Sequence, residues 1–214
     1  MARELAENAL CRPEDVKSAL DNSSISSYVD DTLIFYINGF STMVEGPRYC
    51  NREFVKKART QYFDGVHMGI EYPRRRLFLI APPVDLTLEF TLWDDRDRAW
   101  TDETKLVLWQ DFRIDANTGI ISLFEDGVFS CEPYVIRVDY TGGLVSGVNT
   151  DAEIIPDDLR MACAVQCAHW YRTANDPGAT QIQPVGGGNI SFTPPTKILP
   201  NVREILEGYR RHQY

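Results

Sequence analysis

Cys163 and Cys167 stand four residues apart, with His169 two residues further on. On a helix, positions i and i+4 share a face, and thiolate and imidazole are both zinc ligands. A closed zinc site needs four ligands, and the other histidines, His67 and His212, are distant in sequence. The expected role of the pair is packing, because a free cysteine behaves as a small buried hydrophobe. Cys11, Cys50 and Cys131 bring the total to five. An odd, scattered set argues against a disulfide framework and for a reducing compartment during folding.

Carboxylates crowd the middle of the chain: Glu89, Asp94, Asp95, Asp97, Asp102, Glu103, Asp111, Asp115, Glu125 and Asp126. A glycosidase needs two of them opposed across a cleft. Charged turns at the solvent edge of a sheet are the simpler reading. The Asp94 to Asp97 run lacks the glycine and distal glutamate of a calcium loop. Trp93, Trp100 and Trp109 lie close together in the same region. Surface tryptophans of this kind serve carbohydrate binding; the alternative is that they pack a core or hairpin. Gly186-Gly187-Gly188 lacks the following lysine and hydroxyl residue of a phosphate-binding loop. No Gly-x-Ser-x-Gly elbow is present, and no histidine pairs with a serine or cysteine motif. The expectation is a non-enzymatic chain with no cofactor and no metal. A carbohydrate-binding or glycoside-cleaving protein using the three tryptophans is the alternative.

The 214 residues carry a formal charge of −9. Such a surface is poorly suited to gripping phosphates, though an acidic wall would let DNA slide past without sticking. A DNA-binding regulator, lacking a basic recognition helix, fits poorly. No apolar run reaches the ~20 residues of a membrane span, and the start of the chain has no apolar h-region, so neither membrane insertion nor a signal peptide is expected.

These groups must be held by elements that the pattern marks. Arg12 to Leu20 predicts a short helix, with Pro13, Glu14 and Asp15 at its start. A second helix is predicted from about Ser26 to Glu45, capped by Ser26 or Ser27 and stopped by Gly46-Pro47. Its stripe is Val29, Leu33, Tyr36, Ile37, Phe40, Met43 and Val44. A third short helix or turn is expected over Asn51 to Ala58. After Thr60 the period changes to two. Strands are predicted at 76–80, 84–92, 106–109, 112–114, 120–123 and 134–140, with turns at 94–98 and 115–119. No helical signal separates them, so an antiparallel sandwich or barrel is expected. Pro156, Asp157 and Asp158 then open a strongly apolar helix running to Arg172, with Pro156 at the first helical position. It reads as a central rod buried on most sides. Residues 173–200 are rich in Gly, Pro, Asn, Gln and Thr and read as an extended arm. Val202, Ile205, Leu206 and Tyr209 mark a last short amphipathic helix.

The predicted class is α+β: a small helical bundle core (1–72 and 144–175), an inserted antiparallel β lobe (73–143), and an extended arm with a C-terminal helix (176–214). In order and spacing the chain resembles the head–tail connector (adaptor) proteins of tailed bacteriophages. The residues that carry the likeness are Arg12 to Leu20, Asp30-Asp31-Thr32-Leu33-Ile34, Val138-Asp139-Tyr140-Thr141-Gly142-Gly143, Ile155 to Arg160, Ala168-His169-Trp170-Tyr171 and Leu206-Glu207-Gly208-Tyr209-Arg210. The resemblance implies a virion neck protein, assembled in the host cytoplasm as a ring, usually of twelve copies. It implies a portal protein on one side and a stopper or tail-completion protein on the other, with DNA passing through the lumen unbound. It also implies portal contacts in the C-terminal segment, here Ile198, Arg203, Leu206, Tyr209, Arg210, Arg211 and Tyr214. Removal of residues 198–214 is then expected to leave the core folded.

Overall fold

Proline, two acids and an apolar stripe recur at the helix starts, and the helices form where those signals stand. The structure, a computed structural model, describes residues 3–20, 29–65, 75–124, 127–146, 154–175, 181–182, 190–191 and 197–211. Helix α1 is Pro13–Ala19, α2 Asp30–Glu45, α3 Asp157–Asn175 and α4 Pro200–Gly208. The Arg12 N–H at the start of α1 donates to Asp15 Oδ2 at 2.8 Å. Val29 precedes α2, and Gly46 ends it in extended backbone; the predicted caps Ser26 and Ser27 lie outside the described residues. The Pro156 carbonyl accepts from the Arg160 N–H at 2.9 Å. Pro156 therefore occupies the capping position and Asp157 the first helical one, a shift of one residue from expectation.

The chain divides into two units. The first, Met1–Arg52 with Val145–His212, is helical. In it α3 packs against α1, α2 and α4. Its buried positions are mostly small: Ala162, Cys163, Ala164, Cys167 and Ala168, joined by Leu159. Small side chains let neighbouring helices approach closely, which suits a rod surrounded on several sides. Helix α2 contributes Leu33, Ile37, Phe40 and Val44 from one face. The segment before α1, which carries no periodic signal, is tied down as well. The Ala6 N–H donates to Asn38 Oδ1 and the Leu10 N–H to Ser41 Oγ. Among its described residues the arm contains a short antiparallel pair, β8 (Gln181–Ile182) with β9 (Ile190–Ser191); the triple glycine between them lies outside the described residues.

The second unit, Glu53–Leu144, holds seven strands in two antiparallel sheets among its described residues. One has the order β1 (Lys57–Phe63), β7 (Ile136–Gly142), β3 (Thr91–Asp94), β4 (Lys105–Leu106); the other β2 (Arg76–Phe78), β6 (Ile120–Leu123), β5 (Phe112–Asp115). One apolar core serves both, including Leu77, Leu92, Phe112, Ile121, Phe129 and Val138. Strand β7 alternates strictly, with Ile136, Val138, Tyr140 and Gly142 inward. Gly143 follows at φ +131°, and a Cβ there would lie 2.3 Å from the Val55 carbonyl oxygen, so only glycine fits this turn.

Three expectations are corrected here. Residues 51–58 form no helix: Asn51 has φ +50°, and the chain then extends into β1. Residues 84–92 are not one strand, for only Thr91 and Leu92 belong to β3. Asp85 Oδ1 accepts from the Thr87 N–H and hydroxyl, and that local turn outcompetes a ladder. The predicted strand at 106–109 stops at Leu106 and gives way to a turn.

Candidate functional site

Three of the five cysteines, Cys11, Cys163 and Cys167, converge in the helical unit. Cys11 Sγ donates to Cys163 Sγ at 3.1 Å, and Cys163 lies 4.0 Å from Cys167. All three are fully buried, and burial pushes the Cys11 and Cys163 thiols up, away from the thiolate. Among the described residues no group of three or more His, Cys, Asp or Glu could hold a metal ion.

The central carboxylates hold turns. Asp95 is buried; its oxygens accept from the Asp97 N–H, the Trp100 N–H and the Thr104 hydroxyl. Burial opposes its ionisation, but those bonds prevail and keep its carboxyl below the usual range. Asp115 accepts from the Asn117 and Thr118 N–H groups, Asp94 from Ser130, and Asp111 from Val107. Glu125 and Asp126 lie outside the described residues. The tryptophans have separate neighbours. The Arg137 guanidinium lies over the Trp93 ring at 4.9 Å, Trp100 packs on Tyr62 at 5.9 Å, and Trp109 is 64% exposed. None belongs to the apolar core of the unit.

A concave surface occurs in the helical unit, at α4. The buried Gln166 of α3 positions it: its carbonyl accepts from the Leu199 N–H at 2.8 Å, and its amide donates to the Lys197 carbonyl at 3.3 Å. A single glutamine in an otherwise apolar helix body was the available sequence signal for this clamp, and periodicity passes over it. The far end of α4 is sewn to the 46–52 turn. The Arg211 N–H donates to the Cys50 carbonyl and the Cys50 thiol to the Leu206 carbonyl. Arg52 Nη1 donates to the Tyr209 carbonyl. The Tyr209 hydroxyl donates to both oxygens of Asp158, at 2.6 and 2.7 Å. Burial, then Asp158, raises the Tyr209 pKa.

The cleft so formed has a volume of about 380 Å³. Arg48, Lys197, Arg203 and Arg210 surround it; Glu207, the one acid among its described lining residues, lies 3.5 Å from Arg203. Tyr49, Ile198 and Leu206 supply apolar surface. Of the residues marked from the sequence, Ile198, Arg203, Leu206 and Arg210 thus come together here. Tyr209 and Arg211 are bound to the 46–52 turn and α3, and Tyr214 lies outside the described residues. Leu206 is 2% exposed and Val202 fully buried. Helix α4 is therefore part of the helical core, and its removal would uncover that core, contrary to the expectation that the core stays folded without residues 198–214.

No protein-family model matches the chain, and no curated protein sequence matches it. Among solved structures, a chain in the neck of an empty gene transfer agent (GTA) particle, computed with C6 symmetry, matches all of this chain and 95% of its own length, with TM-score 0.55 and 16% identity. A chain in the virion of a native GTA particle matches 99% of this chain and 94% of its own length, with TM-score 0.52 and 17% identity. The fold of this chain is the one those chains share.

Proposed function

We propose that this chain is a structural component of a phage-like particle neck, a head–tail connector (adaptor) subunit that assembles as a ring beneath the portal and extends the DNA channel. The observation that carries the reading is the likeness over the full length of the chain to a chain in a GTA neck. A structural protein that matches a neck chain end to end accounts for helices, β unit and C-terminal helix together. The resemblance in motif order supports the adaptor role within that neck, with a portal on one side and a stopper or tail component on the other. Twelve copies is the ring size that the resemblance implies. The net charge of −9 suits a channel that DNA traverses without adhering.

Portal docking is assigned to the C-terminal segment. Negative-stain microscopy of the purified chain, with and without its portal, tests the reading: rings that co-purify with the portal are expected. Arg210→Glu with Tyr214→Ala is expected to reduce portal capture at least tenfold while the circular dichroism spectrum is unchanged. Particles without rings, and no portal capture by the unaltered chain, would remove the connector assignment.

A further inference from the structure

Trp109 is an exposed indole on a backbone built to present it. Its φ is +65°, a left-handed conformation that bulky L-residues rarely adopt. The surrounding turn over-determines that conformation. The Trp109 N–H donates to the Phe112 carbonyl at 2.8 Å, and the Gln110 and Asp111 N–H groups donate to the Val107 carbonyl. Asp111 Oδ2 in turn accepts from the Val107 N–H at 2.7 Å. The result is a rigid knuckle, Val107 to Asp111, with Val107 and Trp109 both exposed. Asp102 and Glu103, also exposed, stand in a single helical turn just before it. Rigid, exposed tryptophans are typical anchors of protein interfaces.

The cleft at α4 has the opposite character. Four cations surround an apolar and aromatic lining, in a chain whose total charge is strongly negative. Guanidinium groups attract an indole face as well as carboxylates. Resting on the ring reading above, we propose that the knuckle of one copy docks in the α4 cleft of the next: Trp109 against Tyr49 and Ile198 beside the Arg203 guanidinium, and Asp102 and Glu103 toward Arg48 and Lys197. The occupant is a second copy because this chain carries both halves of the match. Each copy offers one knuckle and one cleft, two different patches, which is the heterologous contact that closes rings. The pairing also offsets the repulsion between copies of equal negative charge. Ile198 and Arg203 then serve the neighbouring copy, and the chain from Tyr209 onward serves the portal.

A charge-swap cycle on the full chain tests this. Arg48→Glu with Arg203→Glu, and separately Asp102→Arg with Glu103→Arg, are each expected to raise the concentration needed for rings at least tenfold. The combined four-fold variant is expected to restore rings. Trp109→Ala is expected to weaken assembly by a similar factor without any charge change. Circular dichroism reports folding, and sedimentation and negative-stain microscopy report rings. As a check that keeps Trp109 and all four cations, Gln110→Cys with Glu207→Cys, in a Cys131→Ser background, is expected to give a ladder of covalent oligomers with a short bis-maleimide. Rings that persist in all the variants, or rings that give no ladder, overturn the knuckle-and-cleft contact and leave the connector reading intact. An unaltered chain that forms no rings, alone or with the portal, overturns both.

Discussion

Helix α3 meets its neighbours through thiols and small aliphatic groups, whereas the β unit is packed with large aliphatic and aromatic side chains and its turns are tied by carboxylates. Around α3 the buried residues are Ala162, Cys163, Ala164, Cys167 and Ala168. In the β unit they are Leu77, Leu92, Phe112, Ile121 and Phe129. A rod touched by three helices has little room for side chains, so stability comes from close backbone approach. Two short sheets stand further apart, and only large groups fill the gap. Helix α3 and the β core should therefore fail under opposite insults.

Truncation should hurt the β unit most. Phe112→Ala is expected to cost ~3–5 kcal/mol in denaturant unfolding, the usual range for a fully buried ring. Enlargement should hurt the helical unit: Ala168→Leu is expected to cost ~1–3 kcal/mol by the same measurement. Were that substitution neutral, the close-packed reading of α3 would fail. A finer probe is Tyr140, whose buried hydroxyl accepts from the Ala81 N–H and donates to Gln61 Oε1. Tyr140→Phe is expected to cost ~0.5–1.5 kcal/mol, because the ring stays and only the hydrogen bonds go.

The smallest and most separable effects lie at the pH extremes. Hydrogen bonds from Lys56 and Thr87 lower the Asp85 pKa from 3.8 to about 2. A carboxylate held below its unfolded value stabilises the fold above that value, and the contribution is lost as pH falls from 3.8 through about 2. Burial raises the Cys50 pKa from 9.0 to about 12. Its contribution is full below 9.0 and is lost as pH rises through about 12, because the unfolded thiol ionises first. Melting curves against pH should show an acid limb that Asp85→Asn flattens and an alkaline limb that Cys50→Ala flattens. Exchange of the two limbs between the variants would dissolve the contrast.

Much of the helical unit was legible because its signals are local. Pro13 with two acids, the stripe from Leu33 to Val44, and Asp157-Asp158 before an apolar run each mark an element within a few residues. Strands β5 and β6, with the turn between them, were equally plain. The failures share a cause. Over 84–92 the alternation is real, but Asp85 bends the chain with its own side chain. Strand β1, KARTQYF, is mostly exposed along its length, so it carries no alternation to read. At the site, Arg203 and Arg210 stand out as charges on a short helix, while Arg48, Tyr49 and Lys197 join them only through folding. Gln166 carries no pattern at all, since its partners are backbone groups more than thirty residues away.

What the residues alone determined is the kind of each local piece: which stretches are helical, where they start, which face is apolar, and that Cys163 and Cys167 pack. Backbone propensity and side-chain period act over a few residues, and those terms are written in neighbouring letters. The tertiary structure alone decided that α4 belongs to the helical core, that four cations from separate stretches share one cleft, and that Trp109 is held out in solvent. Those outcomes depend on which distant groups meet, and hydrogen bonds and burial between remote segments have no signature in local order.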